Sequence, residues 1–126
     1  MLPFSIDLKP GLPISEQVVF AVKKAVIKGQ LRPGSSFPSV RILSEELKIN
    51  RNTAHRVIAD LVQEGVLITT PAVGSIIAKL ETGGSGERVK LLSADLERLA
   101  VEAKKLGLSL SEIQMGFAEQ WKRLGE

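Results

Sequence analysis

Two helix-starting residues eleven positions apart, Ser39 and Asn50, restrict this chain more than any other feature, because each stands ahead of a short amphipathic run. A serine or asparagine side chain there accepts a hydrogen bond from an otherwise orphaned backbone N–H of the first helical turn. After Ser39 the apolar positions Val40, Leu43 and Leu47 recur at helical spacing, and Lys48-Ile49-Asn50 breaks the run after about three turns. After Asn50 a second run passes through Val57, Ile58, Leu61 and Val62 to Gly65. So short an interval admits only a tight turn, and the two helices must pack their apolar faces together. Arg51, Asn52, His55 and Arg56 crowd the first two turns of the second helix and leave its front end polar and basic. Such a pair is a helix-turn-helix, the arrangement that presents a recognition helix to the DNA major groove.

The flanking segments fit that unit. From Pro13, the positions Ile14, Val18, Val22 and Val26, with Ala21 and Ala25, predict a preceding helix that ends at Gly29, with Lys23, Lys24 and Lys28 toward its carboxyl end. Leu31 closes that end hydrophobically, and Arg32-Pro33-Gly34-Ser35-Ser36 is turn chemistry. Beyond Gly65, Val66-Leu67-Ile68-Thr69 and Ser75-Ile76-Ile77-Ala78 are β-rich runs separated by Thr70-Pro71-Ala72-Val73-Gly74, which predicts a two-stranded hairpin with a wing at its tip. That loop is too long for a two-residue turn, so Gly74 supplies a positive φ or a bulge.

Gly83-Gly84-Ser85-Gly86 is the one flexible stretch, and it coincides with a change in charge balance. Residues 1–80 carry ten basic and six acidic side chains, net +4, whereas residues 81–126 carry seven and eight, net −1. The expected organisation is a domain over 1–80, a linker over 81–86 and a helical segment over 87–126. In that last segment Leu92, Leu96, Leu99, Ala103 and Leu106 form a heptad-like seam ending at Gly107. Leu110, Ile113, Phe117, Trp121 and Leu124 form a second stripe, capped by Ser109 or Ser111 with Glu112 in the first turn. About 40 residues cannot bury both stripes alone, so a partner surface is required.

Composition removes several classes of function. The chain has no cysteine and a single histidine, so disulfides, thiolate metal sites and thiol catalysis are excluded. No nucleophile, base and orienter stand at motif spacing, and neither an enzyme nor a bound cofactor is expected. Pro3, Asp7, Lys9, Pro10, Pro13 and Glu16 interrupt the amino terminus, and no apolar run approaches the ~18 residues of a membrane span. A soluble, cytoplasmic protein with no membrane partner is the expectation.

The positions Pro13 and Gln17; Gly29, Leu31, Pro33 and Gly34; Phe37-Pro38-Ser39 with Arg41 and Leu43; Leu47; Arg51 with Thr53; Leu61; Glu64-Gly65; and Gly74 together resemble the winged-helix domain of the GntR family of bacterial transcription regulators. The short helical tail is similar to that of the YtrA-like subfamily. The resemblance implies a mainly α fold with a small β-hairpin: a winged helix-turn-helix followed by a two-helix dimerisation segment. It implies double-stranded operator DNA as the partner and a homodimer as the acting form. Arg41 and Arg51 then correspond to positions that contact operator DNA, with Thr53 and the backbone near Gly74 on phosphate or in the minor groove. Independently of the family, arginine pairs bidentately with guanine O6 and N7, while hydroxyls and helix-terminal N–H groups hold phosphate.

The DNA-facing set is therefore Ser39, Arg41, Asn50, Arg51, Asn52, Thr53, His55, Arg56 and Gly74. His55 lacks the companion donors a metal needs and fits either a base or phosphate contact or plain exposure. Asn52 fits either adenine reading or a polar helix face. Two departures from the family pattern matter. Asn50 replaces the usual Ser or Thr, and Pro71-Ala72-Val73 leaves the wing tip without a basic residue, which implies fewer neutralised phosphates and a shallow salt dependence. The expected function is a DNA-binding regulator, a repressor acting on an inverted repeat. The alternative is a winged helix that meets a protein instead. A small-molecule effector between subunits is open to such a protein, and no residue identifies one.

Overall fold

The computed structural model describes residues 2–72, 74–80 and 86–125. The chain divides into two compact units, Met1–Leu80 and Glu81–Glu126. In the first, α1 (Ile14–Ile27), α2 (Val40–Leu47) and α3 (Arg51–Gln63) precede an antiparallel hairpin of β1 (Leu67–Thr70) and β2 (Gly74–Ile77). α3 packs against both α1 and α2. Val18, Val22, Leu43, Ala54, Val57 and Leu61 are fully buried between them, and Leu67 and Ile77 close the core from the hairpin.

Local chemistry starts and stops these helices. The Ser39 side chain accepts from the Ile42 N–H at 3.2 Å, and Asn50 Oδ1 accepts from the Asn52 N–H at 2.7 Å. α1 ends in a Schellman motif: Gly29 has φ +81°, its N–H donates to the Val26 carbonyl, and the Gln30 N–H donates to the Ala25 carbonyl. The same pattern closes α3 at Gly65, after which Val66 turns directly toward β1. Between α2 and α3, Lys48 takes the left-handed conformation at φ 56°, usually left to glycine or asparagine.

Several expectations need correction. Helix α2 has eight residues, just over two turns instead of three. Ile14 is exposed at the very first position of α1, and Val19 is buried in its stead. Val62 is exposed too, because it stands about 100° around α3 from Leu61, whose direction the core occupies. The strands begin and end one residue from their expected bounds, with Val66 and Ala78 still joined by a 2.9 Å backbone bond. Register pairs Thr70 with Gly74, and Gly74 has φ +82°, as the loop length requires.

Two features have no counterpart in the sequence reading. Ser36 pairs with Ile76 across the free edge of β2, flanked by bonds from the Gly34 N–H to the Ile77 carbonyl and from the Phe37 N–H to the Ser75 carbonyl. β2 is therefore paired on both sides, and the residues just before Ser39 are tied to the hairpin. The second is an amino-terminal strap in which Phe4 is buried and stacks on Phe37, with ring centroids 6.0 Å apart. Leu2, Ile6 and Leu8 pack beside it, and the Gln17 amide clamps its far end through the Lys9 N–H, the Lys9 carbonyl and the Leu12 carbonyl.

In the second unit a 3₁₀ segment (Gly86–Leu92) leads into α4 (Ser93–Lys105), and α5 (Leu110–Arg123) follows. Gly86, expected to close the linker, instead opens the 3₁₀ segment; positions 81–85 of that linker lie outside the described residues. Leu92 and Leu106 flank α4 as its N-cap and C-cap, outside the helix proper. Ser109, and not Ser111, caps α5 in a reciprocal capping box with Glu112. The Ser109 backbone N–H, and after it the Ser109 side chain, favour the carboxylate and hold the Glu112 carboxyl below its ordinary range.

Candidate nucleic-acid interface

The buried residues of α3 are Ala54, Val57 and Leu61, which lie within one narrow arc of the helix. At 100° per residue, Asn52, His55, Arg56 and Ala59 fall on the opposite arc and Arg51 on its flank, and all five are exposed. A helix that spends its apolar residues on the core therefore presents hydrogen-bonding groups outward over its first two turns. Thr53 sits at the edge of that face and is half-buried. On α2, Leu43 and Ser44 point inward while Arg41 is exposed.

Capping uses part of what Ser39 and Asn50 could offer a ligand. Each commits an acceptor oxygen to the helix behind it, which leaves the Ser39 hydroxyl proton and the Asn50 side-chain NH₂ as outward donors. Donors are what phosphate requires. Gly74 is exposed at the end of the hairpin loop, where the Thr70 hydroxyl donates to its carbonyl at 2.9 Å. The wing tip carries Pro71 and Ala72, both exposed, and Val73 lies outside the described residues.

Charges on this surface are arranged unequally. Arg41 Nη1 lies 3.6 Å from Glu45 Oε1 on α2, and Arg56 Nε lies 3.9 Å from Asp60 Oδ2 on α3. Among the described residues no ion pair involves Arg51. The i,i+4 spacing of both acidic partners was present in the sequence and is the signal that reveals them. The described residues contain no group of three or more His, Asp or Glu side chains able to hold a metal, and no helix long and apolar enough to cross a membrane.

In the second unit much of the two apolar stripes is left uncovered by the unit itself. Leu96, Leu99, Phe117 and Trp121 are each about half exposed, while Ala103 is buried. Phe117 and Trp121 lie against one another with centroids 5.7 Å apart. Between α4 and α5 they line an open apolar groove of about 520 Å³ together with Leu96, Leu99 and Ile113. Leu110 is exposed, and Ile113 and Leu124 are half-buried.

Residues 14–77 match the family described as bacterial regulatory proteins, gntR family. Over 115 residues the chain is 28% identical to the HTH-type transcriptional repressor YtrA of Bacillus subtilis (strain 168), covering 90% of this chain and 88% of that one. Among solved structures it is similar to a transcriptional antiterminator from Listeria monocytogenes EGD-e, with TM-score 0.82 and 28% identity over 96% of this chain and 91% of that one. It is also similar to AraR(DBD) in complex with operator ORX1, with TM-score 0.52 and 25% identity over 58% of this chain and 93% of that one. A winged helix-turn-helix carrying that outward arc on α3, with the family match spanning α1 to β2, makes this chain a member of the GntR family of bacterial regulatory proteins.

Proposed function

We infer that this protein is a sequence-specific DNA-binding transcriptional regulator that acts in the cytoplasm as a homodimer and represses by occupying an inverted-repeat operator. The carrying observation is the outward face of α3, made by Asn52, His55 and Arg56, with Arg51 exposed at its flank and in no ion pair among the described residues. Residues 1–80 supply the DNA-binding domain and 87–126 the dimerisation segment. Arg51 and Arg41 read guanine in the major groove, Asn52, His55 and Arg56 contact neighbouring bases or phosphates, and Ser39, Asn50, Thr53 and the backbone at Gly74 set register on the phosphates. The operator complex of AraR(DBD) and the repressor YtrA, both similar to this chain, support the reading.

Dimerisation rests on two arguments. A single recognition helix reads too few base pairs to select one genomic site. The stripe Leu92, Leu96, Leu99, Leu106, Leu110, Ile113, Phe117, Trp121 and Leu124, with Ala103 beneath it, needs an apolar cover that a second copy provides by two-fold symmetry. Selection of duplexes from a random-sequence library by the purified protein, followed by anisotropy titration of the enriched duplex and a shuffled version, tests the reading. An enriched inverted repeat bound at least ~1,000-fold above the shuffled DNA, with the preference reduced in Arg51→Ala, is expected. No enriched sequence, and weak binding indifferent to Arg51→Ala, would leave the fold as a protein-interaction module.

A further inference from the structure

Among the described residues Lys48 is the one position with a side chain at positive φ, and every other positive φ belongs to a glycine. The turn imposes this conformation. The Lys48 and Ile49 N–H groups both donate to the Ser44 carbonyl, which closes α2, and Ile49 then packs against the core. Glycine takes such a site without steric cost, whereas a residue with a Cβ crowds its own following carbonyl. Gly29 and Gly65 fill the corresponding positions after α1 and α3. The turn into the recognition helix alone puts a lysine there. Its side chain contributes nothing visible to the fold: Lys48 is exposed, and among the described residues it makes no ion pair and no side-chain hydrogen bond.

We propose that Lys48 is a DNA-phosphate contact, kept in a left-handed turn at some cost to stability because its ammonium binds a backbone oxygen beside the groove that α3 enters. This rests on the DNA-binding function inferred above. Lys48 stands seven residues beyond Arg41, so at 100° per residue the two lie within about 20° around α2, on the exposed stripe that Glu45 shares. Arg41 and Glu45 are 3.6 Å apart, which leaves Lys48 as the cation of that stripe with no acidic partner among the described residues. It also stands two residues before Asn50, whose side-chain NH₂ is an outward donor at the head of α3. A flexible four-carbon stem ending in three donors suits phosphate, which asks for charge and not for one fixed geometry. Such a contact carries no base information and strengthens binding to every sequence about equally.

The duplex enriched from a random library and its shuffled counterpart are titrated at several salt concentrations with the full chain and with Lys48→Gly, Lys48→Arg and Lys24→Gln, and each protein is melted without DNA. Lys24 is exposed on the side of α1 turned away from the buried Val18, Val22 and Ala25, and controls for the loss of one charge. Lys48→Gly is expected to favour the folded state roughly two- to fivefold, the left-handed penalty less the greater chain entropy of glycine. The melting temperature then rises by roughly 2–6 °C. The same variant binds both duplexes roughly fivefold more weakly at 0.15 M salt, with each salt slope shallower by about 0.9, the signature of one lost phosphate contact. Lys48→Arg keeps the charge and the strain, so it binds and melts as the parent does. Lys24→Gln leaves both slopes unchanged. A Lys48→Gly protein with unaltered slopes would overturn the proposal, as would one that gains no stability, or a Lys24→Gln protein that loses as much slope. Failure of the library to yield any enriched sequence is a separate result, which refutes the DNA-binding reading itself.

Discussion

Replacing Phe117 by alanine tests the proposed dimer at its apolar centre. Phe117 is 53% exposed and lies tilted against Trp121 on the open side of α5. A phenylalanine presents ~200 Å² of surface, so ~100 Å² waits to be covered, and at ~25 cal/mol per Å² that cover contributes ~2.5 kcal/mol. Alanine retains a small part, which leaves a loss of ~2 kcal/mol per copy. Two-fold symmetry counts every change twice, so the dimer loses ~4 kcal/mol and its dissociation constant rises roughly 1,000-fold. Sedimentation of labelled protein across a dilution series measures this. Met115 is the control: it is 71% exposed, more than Phe117, but lies two residues from Ile113 and so on the far side of α5. Met115→Ala should leave the dissociation constant within about threefold, because an isolated exposed apolar side chain carries no interface. The reasoning fails if Phe117→Ala dimerises as the parent does, or if Met115→Ala weakens the dimer as much.

Other perturbations probe the DNA-binding domain and the capping box. Asn50→Ala removes the cap of α3 and should cost about 1 kcal/mol, which lowers the melting temperature by roughly 4–8 °C; Asn50→Asp, which keeps the acceptor, should restore most of it. Phe4→Ala empties the stack on Phe37 and should cost about 3 kcal/mol in urea unfolding; a loss below about 1 kcal/mol would show that the strap adds nothing to the core. Glu112 has its carboxyl pKa lowered in the folded chain, so its contribution is complete above the unfolded value near 4.5 and is lost as pH falls through the folded one. Melts followed by circular dichroism should show the second unit weakening below that pH, and Glu112→Gln should remove this part of the acid sensitivity.

Most of the helix-turn-helix was legible because its determinants are local. Ser39 and Asn50 cap, Gly29 and Gly65 terminate, and apolar spacing picks the inward face, all within reach of a few residues. The outward face of α3 follows from the same arithmetic for Asn52, His55 and Arg56, with Arg51 at its flank, and all four are exposed. The Glu45 and Asp60 partners are equally local, each standing four residues beyond its arginine.

The alternation of Leu2, Phe4, Ile6 and Leu8 was there to read, but only the presence of Phe37 beside it turns a short extended segment into a strap. Ser36 pairs as a single-residue bridge, too short for any period to appear, and β2 acquires a second neighbour only because the loop after α1 returns to it. Ile14 and Val62 carry the same apolar signal as their buried neighbours, and their exposure depends on where α1 and α3 meet the rest of the core. Caps, turns and helical faces were thus set by neighbours in the chain. Strand partners and the final limits of the core were decided by segments far apart in sequence, whose contacts leave no local pattern to read.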